Sequence, residues 1–286
     1  IINNKEDERY CIRLLNEAFL ELNHDGLTGP IHINVPMNSY NRTFNVQELP
    51  IINKIDRVSM CDCKLWDEKV LKLHSFERIM LICGQKSNVS GKLQQSVATF
   101  FEKFNSAVIV DHMSNLDAQY GINTIMTFDE NYITREKFHE LMPDIVISFG
   151  GQVFSGLKGH LRKNYTKFEH WSITERGEVC DLFKGLTTIF ECTPEYFFSI
   201  VNEGAVSKNN LKYYGELKAY NDNAILPQIP YSNVYAIKNV VESIPENSIL
   251  HLSINDSIRI SNFFKLKNGI KTYSNIGTYG IDGCLS

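Results

Sequence analysis

The sequence has no long apolar run, no excess of positive charge and no even set of cysteines. No apolar run approaches the roughly 20 residues that a bilayer-spanning helix needs, so we expect no membrane partner. The 286 residues carry 29 Lys and Arg against 33 Asp and Glu, and this balance offers no positive field for nucleic acid. The remaining composition, 43% hydrophobic and 22% charged, is that of an ordinary globular protein.

The seven cysteines are scattered along the chain. A disulfide framework needs pairs, so the odd number favours reduced thiols and a cytoplasmic location. Cys61 and Cys63 are the only close pair. A structural zinc site needs four ligands, and no second pair or histidine cluster supplies the other two, so we predict no metal site here.

Short apolar segments alternate with helical segments through the middle of the chain. The pattern predicts strands at 79–83, 107–110 and 144–149, two further strands near 169–173 and 179–182, and helices at 66–75, 90–104, 134–141 and 193–201. Strands that alternate with helices in this way are typical of a parallel sheet covered on both faces. The predicted fold class is therefore α/β, with a doubly wound parallel sheet over residues 61–205.

The flanking segments have weaker patterns. A helix is predicted at 7–23 and a short strand at 31–36, and the aperiodic segment 37–60 has the composition of a linker. Beyond the sheet, helices are predicted at 209–220 and 233–243 and a strand at 248–253. The chain begins without Met and stops within a glycine-rich loop, so we expect it to be a piece of a longer protein.

Two glycine-containing loops follow predicted strands. The segment Gly84–Lys92 resembles a phosphate-binding loop, but its glycine spacing is wrong, and an ordinary strand-to-helix turn is the preferred interpretation. Gly150 and Gly151 follow the strand at 144–149, at the edge where open α/β sheets bind ligands. Two glycines also make an ordinary loop, so both interpretations stay open there.

A charged segment follows the predicted strand at 248–253. Ser257 and Arg259 would lie at the carboxyl edge of that strand, where an arginine could hold a carboxylate through two hydrogen bonds. The alternative is a helix N-terminus with Asp256 or Ser257 as its cap. Both interpretations are compatible with each other.

Several segments together resemble the thiamine-diphosphate-dependent enzymes, especially those of menaquinone biosynthesis. They are Gly29–Pro36, Leu252–Phe264 and Ser274–Ser286, with further similarity at 143–151 and 169–171. The resemblance covers the whole chain. It implies four segments in order. Residues 1–45 would be the tail of a pyrimidine-binding domain and 46–60 a linker. Residues 61–205 would be the central domain and 206–286 the start of a pyrophosphate-binding domain.

The resemblance also implies a chemistry. The carbonyl of Gly280 would accept a hydrogen bond from the aminopyrimidine of thiamine diphosphate, and Ile281 would be the apolar wedge that bends this cofactor. Ser257 and Arg259 would lie near the substrate carboxylate. The whole protein would be a homodimeric or homotetrameric transferase that decarboxylates a 2-oxo acid and passes the product on to an acceptor, a carboligase reaction.

Two parts of the family's machinery are expected outside this sequence. The catalytic glutamate would lie upstream of Ile1, and the motif for Mg²⁺ and the pyrophosphate downstream of Ser286. We therefore expect the chain by itself to be inactive and to bind thiamine diphosphate and Mg²⁺ weakly.

The sequence departs from the family pattern at substrate-binding positions. Ile276 stands where the family has an arginine, Ile254 where it has an asparagine, and Gly156-Leu157 where a Lys-Arg pair is expected, which leaves Lys158 and Arg162 as imperfect substitutes. These changes predict a smaller or less anionic 2-oxo acid than the menaquinone enzymes use. They also leave open a non-catalytic paralogue, against which the intact Gly280-Ile281-Asp282-Gly283 segment argues.

Overall fold

The computed structural model describes residues 2, 4–24, 27–36, 47–48, 52–129, 132–203 and 210–276. In chain order the elements are α1 (Lys5–Leu20), β1 (Asn23–His24), β2 (Leu27–Thr28), β3 (Asp56–Ser59), α2 (Cys63–Ser75), β4 (Ile79–Cys83), α3 (Gly91–Lys103), β5 (Ser106–Val110), a 3-10 turn (His112–Ser114), α4 (Arg135–Glu140), β6 (Ile145–Phe149), α5 (Leu157–Lys163), β7 (Glu169–Thr174), β8 (Leu186–Glu191), α6 (Pro194–Asn202), α7 (Lys212–Asp222), α8 (Asn233–Ser243), β9 (Ile249–His251), α9 (Asp256–Ser261) and β10 (Lys271–Tyr273).

The centre of the molecule is a six-stranded sheet in the order β3-β8-β7-β6-β4-β5. Every neighbouring pair in it is parallel. All five residues of β4 and all five of β6 are buried, because helices cover both faces of the sheet. This confirms the predicted α/β fold with a doubly wound parallel sheet.

Two strand positions at the far edge of the sheet differ from the prediction. Residues 179–182 form no strand, and β8 at Leu186–Glu191 takes that place in the sheet. The polar segment Asp56–Ser59, within the predicted linker 46–60, forms the edge strand β3 and pairs with β8. Only Val58 of β3 is buried, because an edge strand has one neighbour, and this explains why its sequence lacks a strand pattern.

The predicted strand at 31–36 is also wrong. These residues are all described and none of them belongs to a strand. Their alternation of apolar and polar side chains gave the prediction, but Ile33 and Val35 are 41% and 71% exposed. An alternating pattern stabilises a strand only when a neighbouring strand and a core face are present.

The helix α7 packs on the central sheet, although it lies beyond the predicted boundary at residue 205. Tyr213 is buried; its hydroxyl donates to the carbonyl of Leu141 over 3.0 Å, and its backbone N–H donates to the side chain of Asn105 over 3.1 Å. We call the sheet with α2–α7 the central unit. The elements α8, β9, α9 and β10, in which β9 and β10 pair in parallel, form the third unit. The domain division remains a prediction.

Most helices begin at a short polar side chain that accepts a backbone N–H of the first turn. Asn4, Ser90, Thr134, Thr193 and Ser232 do this for α1, α3, α4, α6 and α8. Such caps stabilise a helix by about 1 kcal/mol. None of the helices in the described ranges has both the length and the apolar character to cross a membrane.

Candidate functional site

The carboxyl ends of β4 and β6 flank the point where the strand order reverses, since β5 lies on one side of β4 and β6 on the other. Ligands of open α/β sheets bind in the crevice at such a point. Here the loops after β4 and β6 join across it. The N–H of Gly84 donates to the carbonyl of Phe149 over 2.9 Å, that of Gln85 to Gln152 over 2.9 Å, and that of Gly151 to Gln85 over 2.7 Å.

Two glycines make this approach possible. A Cβ on Gly84 would collide with the carbonyl oxygen of Gly151. Gly150 has a φ of +83°, and a Cβ on it would collide with the backbone of Gly84. Glycine permits both the close approach and the left-handed backbone. The ordinary-loop interpretation therefore accounts for Gly84 and Gly150, and the two loops bond to each other across the crevice.

The third unit is attached to the edge of the central sheet next to this crevice. Asn115 donates from its amide to the carbonyl of Thr272 over 2.9 Å and accepts from the Thr272 N–H over 2.8 Å. The N–H of His112 donates to the Asn262 side chain over 2.8 Å, and Asn123 donates to the Asn262 carbonyl over 3.0 Å. We call this set of contacts, from His112, Asn115 and Asn123 to Asn262 and Thr272, the junction.

The junction residues of the third unit are buried, and their bonds are directional. Thr272 and Asn262 are only 1% and 4% exposed. Burial lowers the pKa of His112, which favours the neutral imidazole with one N–H to donate. Its Nε2 lies 3.0 Å from the carbonyl oxygen of Ser261 and 2.9 Å from that of Phe264. Because both partners are acceptors, Nε2 carries the hydrogen.

The predicted substrate residues Ser257 and Arg259 lie on α9, immediately beyond the carboxyl end of β9. The helix alternative is correct as well, but its cap position is Asn255, not Asp256 or Ser257, and no side chain there accepts a hydrogen bond. Arg259 is exposed, and among the described residues it forms no ion pair. Its guanidinium is therefore available to an incoming carboxylate.

The segment after β10 leads towards the predicted cofactor residues. Ser274 is attached to the central unit, because its carbonyl accepts a hydrogen bond from the Gln85 side chain over 3.3 Å. Ile276 is half-buried. Gly280 and Ile281 lie outside the described residues, so their assignment to the cofactor remains a prediction.

The structure explains the absence of a Lys-Arg pair at 156–157. A Cβ on Gly156 would collide with the carbonyl oxygen of Phe128, and Leu157 is fully buried in the core. Lys158 donates to the side chain of Gln152 over 3.0 Å. Burial lowers the pKa of Lys158, and the nearby Arg162 lowers it further.

A half-buried carboxyl group at the same sheet edge was not predicted. Asp111 follows β5, and its Oδ2 accepts the N–H of Phe154 over 3.2 Å while its Oδ1 accepts that of Ser114 over 3.2 Å. Burial raises the pKa of Asp111 to about 6, and these backbone donors oppose that shift. Asp111 lines a cavity of about 10 Å³, at the lower limit for one water molecule. Its role is to connect the loops after β5 and β6.

The sequence analysis also missed the junction. The available signal was position, because His112 and Asn115 come directly after the apolar strand β5, where side chains of a parallel sheet gather at one edge.

Within the described ranges, no group of three or more His, Cys, Asp or Glu side chains could hold a metal ion. A wider groove lies between α4 and α7. Its two cations are already paired, Arg78 with Glu216 over 3.1 Å and Lys137 with Glu140 over 2.8 Å.

Comparison with known proteins finds relatives that share one name. The 2-succinyl-5-enolpyruvyl-6-hydroxy-3-cyclohexene-1-carboxylate synthase of Bacteroides fragilis is 33% identical over 291 residues, which cover 100% of this chain and 51% of that protein. The synthase of Bacteroides thetaiotaomicron is 31% identical, with coverage of 100% and 51%. That of Flavobacterium psychrophilum is 30% identical, with coverage of 90% and 48%.

Other comparisons add little. No protein-family model matches the chain. A solved structure, described as a candidate thiamin diphosphate-dependent enzyme from Mycobacterium smegmatis, shares 11% identity and a TM-score of 0.46 over 77% of this chain and 43% of that one, which is too low to carry an argument. The chain spans about half the length of the curated relatives it matches. The predicted resemblance is confirmed, and the chain is a relative of the 2-succinyl-5-enolpyruvyl-6-hydroxy-3-cyclohexene-1-carboxylate synthases.

Proposed function

We propose that this chain is part of a thiamine-diphosphate-dependent enzyme that decarboxylates a 2-oxo acid and transfers the product to an acceptor. The observation that carries the proposal is the identity of 31–33% to synthases of this kind over the whole chain. The cofactor would supply the electron sink for decarboxylation, and Mg²⁺ would bind its pyrophosphate. The resemblance implies that Gly280 and Ile281 would contact the cofactor.

The described residues support a role in holding the substrate. Arg259 is exposed on α9, beyond the end of β9, and has a guanidinium that could bind one carboxylate through two hydrogen bonds. Ser257 lies two residues earlier on α9, on another face of the helix, and could donate its hydroxyl to a different polar group of the substrate. These two side chains would orient a 2-oxo acid whose reacting carbon faces the cofactor.

The substrate we propose is a smaller or less anionic 2-oxo acid than a dicarboxylate. A dicarboxylate needs a second cationic partner, and Ile276 stands where the family pattern has an arginine. A Lys-Arg pair at 156–157 is sterically excluded, and Lys158 is bonded to Gln152. Each missing charge-assisted hydrogen bond is worth roughly 1.5–3 kcal/mol, or one to two powers of ten in rate or affinity.

The test uses a protein of the relatives' full length. We expect turnover of pyruvate to exceed that of 2-oxoglutarate, and isochorismate to be a poor acceptor. An Ile276→Arg variant should gain activity with 2-oxoglutarate. Efficient use of 2-oxoglutarate and isochorismate by the unaltered protein would contradict the substrate proposal, as would a folded Arg variant with no gain for the dicarboxylate.

The second candidate is a non-catalytic paralogue that kept the scaffold. It is favoured by the loss of cationic side chains at 156, 157 and 276. Absence of turnover with every 2-oxo acid tested, in a full-length protein that binds thiamine diphosphate, would favour this candidate over an enzyme.

The cellular setting is part of the proposal. We place the full-length protein in the cytoplasm as a homodimer or homotetramer, because the six described cysteines are all free thiols and the resemblance implies such an assembly. The 286-residue chain by itself should bind thiamine diphosphate and Mg²⁺ weakly. Calorimetric titration should show no binding in the low-micromolar range, and tight saturable binding would contradict this expectation.

A further inference from the structure

The helix α9 lacks the features that would hold it in place by itself. It has six residues, Asp256–Ser261, and its N-terminus has no side-chain hydrogen bond. Asn255, which precedes it, has φ 70° and ψ −116°, outside the usual capping conformation. A helix of this length is unstable in isolation, because forming its first turn costs more than its few hydrogen bonds return.

The other end of α9 is held by the central unit through His112. Its Nε2 donates to the carbonyl oxygens of Ser261 and Phe264, 3.0 Å and 2.9 Å away, and its backbone N–H donates to Asn262 over 2.8 Å. These acceptors are the final residue of α9 and the turn after it. Carbonyls at the end of a helix have no partner within the helix, so an outside donor fixes their position.

His112 is itself firmly placed. It opens the 3-10 turn after β5, and the side chain of Asp111 caps this turn through the N–H of Ser114. Asn123 adds a fourth bond, from its amide to the carbonyl of Asn262 over 3.0 Å. The C-terminal end of α9 is therefore fixed from the sheet edge, whereas its N-terminus has no side-chain cap. The helix also buries Ile258 and contacts α8.

We propose that His112 is a positioning residue, which holds α9 so that Arg259 presents its guanidinium to the substrate carboxylate. Arg259 is two residues before Ser261, whose carbonyl His112 binds, so a rotation of α9 would move its guanidinium directly. The role of Arg259 rests on the proposed function. The role of His112 in holding α9 rests only on the contacts above.

The test compares two substitutions. His112→Phe keeps an aromatic ring of similar size but removes the donor, and His112→Gln keeps an N–H donor near the position of Nε2. His139→Phe is the matched control, because His139 bonds Asn164 and not the third unit. Hydrogen exchange of the 286-residue chain is measured for peptides covering 256–264, 79–83 and 145–149.

We expect His112→Phe to accelerate exchange at 256–264 by about tenfold, the loss that corresponds to about 1.4 kcal/mol, with 79–83 and 145–149 unchanged. His112→Gln should restore most of the protection, and His139→Phe should leave 256–264 as it is. Unaltered exchange at 256–264 in the Phe variant, or equal acceleration in the two core strands, would overturn the proposal.

The second readout is kinetic and uses the full-length protein. His112→Phe should raise the KM for the 2-oxo acid about tenfold while kcat changes less, because a displaced Arg259 weakens substrate binding first. An unchanged KM together with accelerated exchange would overturn the link to Arg259. Absence of turnover in the unaltered protein would defeat the proposed function, while the exchange result would still decide whether His112 holds α9.

Discussion

The side-chain amide of Asn115 pairs with the backbone of Thr272 through two hydrogen bonds of 2.8 Å and 2.9 Å, as one strand pairs with another. Asn115 has φ 51°, in the left-handed region that asparagine tolerates better than most residues. One residue thus supplies both a backbone turn and the attachment of β10. The two contributions can be separated by substitution.

We expect Asn115→Ala to destabilise the chain more than Asn115→Gly. Both variants lose the two bonds to Thr272, at about 1 kcal/mol each, but alanine also pays about 1–2 kcal/mol for the left-handed backbone. The difference in the free energy of unfolding, measured with urea, should be about 1 kcal/mol. Equal stability of the two variants, or a less stable glycine variant, would show that the backbone conformation is not a constraint.

Gly156→Ala should destabilise the chain by about 3 kcal/mol, because its Cβ would collide with the carbonyl oxygen of Phe128. Gly215→Ala is the matched control. Gly215 lies within α7, where a Cβ would meet nothing within 4 Å, so alanine there should stabilise by about 1 kcal/mol. Thermal unfolding of both variants checks this. A tolerated alanine at 156 would mean that the contact with Phe128 does not require glycine there.

Acidification should destabilise the fold through His170. This residue is fully buried on β7, the strand between β6 and β8, and its ring lies 2.8 Å from the hydroxyl of Ser148. Burial lowers its pKa to about 3 from 6.5. The unfolded chain takes up this proton near pH 6.5 and the folded chain only near pH 3, so stability is lost as the pH falls through that window. Between pH 7.5 and pH 5 the loss should be about 2 kcal/mol.

The comparison with His170→Gln isolates this effect. Asp111, whose raised pKa makes it act in the opposite direction below pH 6, is present in both proteins and cancels. Asp181 also acts in the opposite direction, because burial raises its pKa, but its carboxylate lies 4.0 Å from Nδ1 of His170, so its contribution need not be equal in the two proteins. The unaltered chain should lose more stability than the variant between pH 7.5 and pH 5. Parallel profiles would mean that Asp181 pairs with the imidazolium.

Arg259→Ala in the full-length protein should raise the KM for the 2-oxo acid by one to two powers of ten, the value of a charge-assisted hydrogen bond. Arg259→Lys should recover part of this loss, because the charge remains but the two-point geometry does not. Lys265→Ala, an exposed cation of the same unit, is the control. Steady-state kinetics that show equal effects at 259 and 265 would remove Arg259 from the substrate site.

The sequence predicted the sheet interior well and its edge poorly, for a physical reason. β4 and β6 are buried on both faces, so their residues had to be apolar and the pattern is plain. β3 pairs with β8 through its backbone and buries one side chain, Val58, while Asp56 and Arg57 make polar contacts with residues far away in the sequence. Backbone hydrogen bonds are open to almost any sequence, so Asp56-Arg57-Val58-Ser59 carries little signal.

Only part of the candidate site could be predicted from the sequence. Ser257 and Arg259 were found because they follow a strand, and they do lie at its end. The junction was missed because His112 and Asn123 bind carbonyl oxygens of residues far along the chain. A carbonyl oxygen is present in every residue, so nothing in the identity of Ser261 or Phe264 records the partner.

The pairing of β3 with β8 joins the first strand of the central sheet to its last, as Asp56 lies opposite Thr188. During synthesis this edge cannot form until the ribosome has passed residue 191, long after β4 and β5 have emerged. Closing such a long loop is slow, so we expect β4–β7 to assemble first and β3 to add in a late step. Until then β8 would carry an unpaired edge, and unpaired strand edges are prone to aggregation.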